Sequence, residues 1–175
     1  MIPTEQAQEH LQRLLDPAFV ADIGTRTTED LRAMKADAAG VENALSYLRR
    51  LAQGRVEILQ AEQERRARGG SVADLVNDLP RILSDEPPRP AAANTRLAEP
   101  AEPAVELHWP DGREALVTDV TLANLPLLSA QELAESFARV DAFERELSGL
   151  RRELHGVIDV IETEIATRSV AGTSG

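Results

Sequence analysis

Residues 42–57 read ENALSYLRRLAQGRVE, and residues 144–159, which lie 102 positions further along the chain, read ERELSGLRRELHGVID. The two stretches share the pattern Glu-x3-Ser-x2-Arg-x3-(Gln or His)-x3-(Glu or Asp). An internal repeat is informative because each copy is expected to form the same structural unit. Two copies are too few for a solenoid, so the repeat predicts two similar helices related by a pseudo-twofold axis.

The repeated polar residues fall on one stripe of a helix. Their spacing of four, three, four and four keeps them within roughly 80° of one another around an α-helix, along about 22 Å of its length. We call the two sets the polar rows: Glu42, Ser46, Arg49, Gln53 and Glu57 form the first row, and Glu144, Ser148, Arg151, His155 and Asp159 form the second.

Apolar residues at alternating spacings of three and four lie beside each polar row, as is typical of a coiled-coil seam. The seam residues are Val41, Leu45, Leu48, Ala52, Arg55 and Leu59 in the first copy, and Val140, Phe143, Leu147, Leu150, Leu154, Val157 and Ile161 in the second. A ligand could therefore lie across two packed helices. The matched glycines Gly54 and Gly156 suggest close approach of a partner helix or a ligand ring, with drift in a tolerant coil as the alternative.

The composition of the whole chain restricts its function. A length of 175 residues predicts one domain, and a net charge of −11 argues against direct binding to duplex DNA. The absence of cysteine excludes disulfides and thiolate chemistry. The three histidines are scattered without metal-ligand or nucleophile–base spacing, so we expect no metal and no enzymatic activity. Without a signal peptide or a membrane-spanning run, the sequence predicts a cytoplasmic protein with no membrane partner.

The first half of the chain divides into two segments. Residues 1–26 predict one or two short helices interrupted by Pro17, which could cap the coiled coil or dock onto a partner protein. A segment over residues 27–84 follows. Its long helix is predicted to begin at Thr28 as the N-cap and to end near Arg68, before Gly69. A short helix over residues 72–84 completes the segment and could pack back onto the hairpin.

The second half begins with a proline-rich linker over residues 85–119. Such a composition cannot build a core, although alternating apolar residues over 105–117 around a Pro-Asp-Gly turn favour a small β-hairpin. His108 and Trp109, beside that turn, are interpreted as local packing residues. The second motif helix belongs to residues 120–168, and residues 169–175 are expected to form a frayed tail. Its capping box is Ser129 with Glu132, and it is predicted to run to about Thr167.

These patterns together predict an all-α fold, a long antiparallel coiled-coil helical hairpin with short accessory helices and a Pro-rich linker. The alternative is a homodimer of extended hairpins, because a lone helix pair buries little apolar surface. On that alternative the free protein would be a homodimer.

The residue types of the polar rows suit a purine nucleotide. The planar fork of arginine fits a phosphate or the O6/N7 edge of guanine, and a carboxylate accepts from the Watson–Crick N–H donors of guanine. Two matching rows would suit a ligand with its own twofold symmetry, such as cyclic di-GMP. Ordinary surface ion pairs on the flanks of a coiled coil are the simpler explanation for a single row. The second copy in register favours a ligand site.

The doubled motif is similar to that of the RsiG family of actinobacterial anti-sigma factors, also called aerial mycelium formation proteins. Residues 45–55, LSYLRRLAQGR, and 78–87, DLPRILSDEP, also resemble the family. The likeness covers about residues 27–88 and 120–168. It implies a coiled-coil hairpin that binds cyclic di-GMP, as a dimer, between its motif helices. It further implies that the ligand-loaded protein sequesters a WhiG-type sigma factor, of the flagellar and sporulation class, and so blocks transcription.

The resemblance assigns the ligand-binding role to the ten residues of the polar rows. Arg50 and Arg152, which are also in register in the two copies, are candidates for additional phosphate contacts. Two positions depart from the family motif. Glu57 stands in place of Asp and lengthens the acceptor by a methylene. His155 stands in place of Gln and adds a side chain whose charge can respond to pH. A ligand-independent coiled-coil adaptor or structural protein is the main rival interpretation.

Overall fold

A computed structural model describes residues 4–71, 73, 76–77, 80, 105, 107, 109, 111–118 and 121–173 of the chain. The regular structure in these residues is helical, with no strand in the described ranges, which confirms the predicted all-α fold. The α-helices with described bounds are α1 (Thr4–Leu15), α2 (Thr28–Ala67), α3 (Ala115–Thr118) and α4 (Ala130–Thr173), and short 3-10 helices cover Pro17–Phe19, Ile23–Thr25 and Thr121–Leu127. Among the described helices, none has the length and apolar character to cross a membrane.

Helix α2 is delimited by local hydrogen bonds at both ends. Its N-cap is Thr27, one residue before the predicted Thr28: the Thr27 hydroxyl accepts from the Asp30 backbone N–H at 3.1 Å, and the Asp30 carboxylate accepts from the Thr27 N–H at 3.1 Å. This reciprocal capping box satisfies two N–H groups that the first helical turn leaves free. At the other end Gly69 has a φ of +68°, a left-handed conformation that glycine adopts without steric cost.

Helix α4 begins as predicted and ends later than predicted. Ser129 and Glu132 form a second capping box, with N–H···O distances of 3.2 and 2.7 Å. The helix then continues past Thr167 to Thr173, so the expected tail over 169–175 is wrong for residues 169–173. Serine and threonine are weak helix formers, which is why the sequence suggested an earlier end. Arg168 instead anchors the last turns of α4 to backbone carbonyls that precede α2.

Helices α2 and α4 pack along their lengths as an antiparallel hairpin, as predicted. Lys35, near the start of α2, pairs with Glu162, near the end of α4, at 2.7 Å. Their seam is the core of the molecule, and its fully or nearly fully buried members are Val41, Leu45, Leu48, Ala52 and Leu59 from α2 with Val140, Phe143, Leu147, Leu154 and Ile161 from α4. The predicted seam position Arg55 is only partly buried, because its guanidinium leaves the seam to donate to the Leu116 carbonyl at 3.1 Å.

Helix α1 and the connector before α4 cover one side of this seam. Leu11 and Leu14 of α1 are buried, and the connector inserts Leu107, Trp109 and Val117 into the same core. The Trp109 ring packs edge-to-face on Phe143 with 5.1 Å between centroids, which confirms that Trp109 is a packing residue. The side chains that α1 and the connector supply add the apolar burial that an isolated helix pair lacks.

The predicted β-hairpin over 105–117 is only half correct. The turn is present, since the Gly112 N–H donates to the Trp109 carbonyl at 2.9 Å and Gly112 has a φ of +65°. The prediction of a second strand is wrong, because Ala115–Thr118 is a single turn of helix held against α2 through Arg55. His108, the linker residues 85–104 and most of the short helix predicted over 72–84 lie outside the described residues.

Candidate functional site

The two polar rows lie on the side of the hairpin seam that faces away from the connector. Arg55, which contacts the connector, is roughly 140° around α2 from Glu42. Rows and connector therefore flank the seam on opposite sides. Because the helices are antiparallel, the start of one row lies opposite the middle of the other. The predicted site residues of the two copies are in this way brought together.

Glu42 is the centre of a hydrogen-bond cluster that joins the two rows. One of its oxygens, Oε1, accepts from Ser46 Oγ at 2.7 Å on its own helix and from Arg151 Nε and Nη2 at 3.1 and 3.0 Å on the other. His155 Nε2 lies 3.0 Å from the same oxygen. Burial alone would raise the pKa of Glu42, but the bonds from Ser46, Arg151 and His155 outweigh it and leave the pKa below its ordinary value. Glu42 is therefore held as a carboxylate.

The second copy repeats this arrangement in the reverse sense. Ser148 Oγ donates to Glu144 Oε1 at 2.9 Å, and Arg49 Nη1 lies 3.6 Å from the same oxygen. Glu42 thus pairs with Arg151 while Glu144, its counterpart in the repeat, pairs with Arg49, the counterpart of Arg151. A reciprocal exchange of this kind is what a twofold axis between two helices produces. It supports the pseudo-twofold axis that the repeat predicted.

The cluster is looser around Arg49 than around Arg151. Arg49 Nη1 donates to Gln53 Oε1 on its own helix at 2.7 Å, and Gln53 Nε2 in turn donates to Glu57 at 3.3 Å. Arg49 Nε is a buried donor with no hydrogen-bond partner among the described residues. An unsatisfied buried donor costs about 1–3 kcal/mol, so a ligand oxygen that accepted a hydrogen bond from this nitrogen would increase the affinity of the ligand.

Three of the predicted residues lie at the margin of the cluster. The Asp159 side chain is exposed, and Arg50 and Arg152 are exposed on the outer flank of each row, roughly 80° from the glutamate that begins it. These side chains could reach a ligand that covers both rows, although they take no part in the Glu42 cluster. A methyl group added at Gly156 would meet no atom of the described residues within 4 Å, so close approach of the other helix of the hairpin is the wrong explanation for this glycine.

The structure also extends the repeat to residues that the motif did not include. Arg66, at the end of α2, donates to the carbonyls of Leu125 and Leu128 at 3.0 and 2.6 Å, just before α4. Arg168, 102 positions later, donates from Nη2 to the Ile23 carbonyl at 3.0 Å, just before α2. The same offset relates the two N-caps, Thr27 and Ser129, and the two glutamates that pair with these arginines, Glu62 and Glu164. Comparing the copies beyond residues 42–57 at the same offset would have revealed these pairs in the sequence.

Family comparison agrees with this geometry. The model of the RsiG-like family matches residues 17–83 and 119–175, which include both long helices with their polar rows. The chain belongs to the RsiG-like family. Membership indicates an anti-sigma factor, a regulatory role that is not typically enzymatic. No curated protein matches the chain.

The RsiG-like match leaves out residues 1–16, and with them the whole of α1, and residues 84–118. The two long helices and the reciprocal glutamate–arginine pairs are therefore the shared part of this chain. Helix α1 and the connector, which cover the opposite side of the seam, lie largely outside it. Among the described residues, no group of three or more histidine or acidic side chains could hold a metal ion.

Proposed function

We propose that this chain is an anti-sigma factor whose two polar rows bind cyclic di-GMP, and that the loaded protein sequesters a WhiG-type sigma factor. The observation that carries the proposal is the reciprocal pairing of Glu42 with Arg151 and of Glu144 with Arg49 across the hairpin. Sequestering a sigma factor places the protein in the cytoplasm.

The chemistry of the rows supports a cyclic dinucleotide as the ligand. Each row offers an arginine fork for a phosphate or the O6/N7 edge of guanine, a carboxylate for the N–H donors of guanine, and a serine hydroxyl. A pseudo-twofold pair of such rows matches a ligand that repeats its own guanine and phosphate about a twofold axis. Two stacked cyclic di-GMP molecules would present both groups to both helices.

Binding would replace contacts that the free hairpin makes within itself. In the structure Arg151 is held by Glu42, and Arg49 lies between Glu144 and Gln53. Phosphate oxygens would take over the guanidinium donors, including the unpartnered Nε of Arg49, and the released carboxylates could accept from guanine. The ligand would then brace the two helices against each other in the shape that binds sigma. Linkage requires sigma to tighten ligand binding by the same factor.

Calorimetric titration of cyclic di-GMP into the wild type and into Arg49→Ala and Arg151→Ala variants tests the site. Hydrogen bonds to charged groups are worth about 1.5–3 kcal/mol, so each variant should bind roughly 10-fold to 150-fold more weakly. Arg145→Ala is the matched control, because Arg145 is an exposed arginine of α4 that pairs with Asp141 on its own helix. Undiminished affinity in both variants, with helicity intact by circular dichroism, would refute the site.

A nucleotide panel read by thermal shift separates the proposal from a ligand-independent adaptor. At 100 times its dissociation constant a ligand stabilises the folded state by about 2.7 kcal/mol, which raises the Tm of a chain of this size by roughly 5–11 °C. We expect this response to cyclic di-GMP and a smaller one to GMP, which lacks the second half of the ligand. No response to cyclic di-GMP would favour the adaptor. Repeating the titration with purified sigma factor present measures the linkage.

A further inference from the structure

A cavity of about 660 Å³ lies on the connector side of the hairpin, away from the polar rows. Its floor is apolar and includes Leu59, Leu125, Val140 and Phe143, and Arg139 lies in its wall. The volume falls within the range of ordinary ligand and side-chain pockets. This space is separate from the nucleotide site proposed above, and an inference about it stands or fails independently of that site.

The pseudo-twofold axis shows what occupies the corresponding position in the other half of the hairpin. Arg139 is the counterpart of Asp37 at the repeat offset of 102 residues. Helix α1 lies beside Asp37: His10 Nε2 is 2.8 Å and Arg13 Nη2 is 3.7 Å from its carboxylate oxygens. The leucines of the same helix are buried in the core. A short amphipathic helix with basic residues therefore docks beside the acidic residue.

The second half of the hairpin has no equivalent three-turn helix in its described residues. The connector supplies the single turn α3 and the turn around Gly112, which leave the cavity open beside Arg139. Arg113, at the same cavity, is already occupied by Asp111 and Glu146. Arg139 is exposed and makes no hydrogen bond or ion pair with the described part of the chain. The charge at the docking position is thus reversed relative to the α1 side, and no described residue pairs with it.

We propose that this cavity is the docking site for an acidic amphipathic helix of a partner protein. The helix would place leucines, spaced as Leu11 and Leu14 are in α1, on the apolar floor, and a carboxylate at the position of His10 would pair with Arg139. Charge complementarity with Arg139 requires a negative charge on the partner helix, and the docking of α1 on the other half of the hairpin shows how such a helix would lie. Residues 111–116 of the cavity wall lie outside the family match, whereas Arg139 and the apolar floor lie inside it.

The test uses the full chain and a peptide that copies Thr4–Leu15 with His10→Glu and Arg13→Glu. Trp109 is the only tryptophan of the chain and packs on Phe143 in the cavity floor, so its fluorescence reports on occupancy. We expect the acidic peptide to change the Trp109 emission saturably. The unmodified α1 peptide should bind about fivefold more weakly, which is the upper range for one exposed ion pair.

Charge reversal of the protein provides the decisive control. Arg139→Glu should invert the preference, so that the unmodified peptide binds more tightly than the acidic one. Arg145→Glu, outside the cavity, should leave the affinity for both peptides unchanged. The proposal is overturned if the acidic peptide gives no saturable change, if Arg139→Glu leaves the preference unaltered, or if an acidic peptide with both leucines replaced by alanine binds equally well. Octanoate serves as a probe for a small amphipathic anion. If octanoate changes the Trp109 emission in an Arg139-dependent way and the peptide does not, the cavity binds such an anion and the helix-docking proposal is overturned.

Discussion

Glu62 is the position where a single substitution is expected to weaken the hairpin most clearly without touching the polar rows. Its side chain is 0% exposed, and it accepts from Arg65 Nε and Nη2 at 2.6 and 2.8 Å and from Arg66 Nε at 2.6 Å. Arg66 uses its remaining nitrogens to hold the carbonyls of Leu125 and Leu128. Glu62 therefore neutralises the arginine that joins the end of α2 to the start of α4.

The size of the effect follows from the burial of the pair. Exposed ion pairs contribute up to about 1 kcal/mol, and breaking a fully buried pair costs about 3–5 kcal/mol. Arg65 and Arg66 keep 15% and 25% of their side-chain exposure, so water partly compensates them after the change. We expect Glu62→Ala to lower the free energy of unfolding by about 2 kcal/mol, which corresponds to a Tm roughly 4–8 °C lower.

The pseudo-symmetric residue Glu164 is a built-in control for this prediction. Glu164 makes the equivalent pair with Arg168, but both side chains are about a quarter exposed. Glu164→Ala should therefore cost at most about 1 kcal/mol. Urea denaturation followed by circular dichroism at 222 nm gives both values under one set of conditions. Equal losses in the two variants, or a larger loss for Glu164→Ala, would show that burial does not decide the strength of these pairs.

Three further predictions follow from the same contacts. Hydrogen bonds hold the pKa of Glu42 and of Glu62 below the ordinary value of 4.5. The stabilisation that the two carboxylates give the fold is therefore present above pH 4.5 and is lost as the pH falls through their lowered folded-state pKa values. Urea midpoints measured across acidic pH should fall less steeply for Glu62→Gln than for the wild type. Thr27→Ala and Ser129→Ala should each cost about 1 kcal/mol by removing an N-cap, and comparable urea curves for cap variants and wild type would contradict this. Gly156→Ala should stabilise the chain by about 0.5–1 kcal/mol, because the added methyl group meets open space in the middle of a helix; a lower Tm would mean that the glycine is needed by the fold itself.

Much of the candidate site was present in the sequence because its two halves are local. The spacing of Glu42, Ser46 and Arg49 places them on one helical stripe whatever the rest of the chain does. The spacing could not predict which residue forms the ion pair with each charged side chain. Arg151 pairs with Glu42 across the hairpin rather than with an acidic residue of its own helix, a contact that depends on the antiparallel register of α2 and α4. That register follows from how the apolar seams interlock.

The sequence by itself determined the presence of the two long helices, their N-caps to within one residue, the apolar seam and the repeat, since each depends on residues within a few turns of one another. Only the tertiary structure decided which side of the seam the connector covers, that α4 continues to Thr173, and that a cavity opens beside Arg139. These features arise from contacts between residues distant in the chain. Local propensity carries no information about such contacts, because their energy appears only when separate segments pack together.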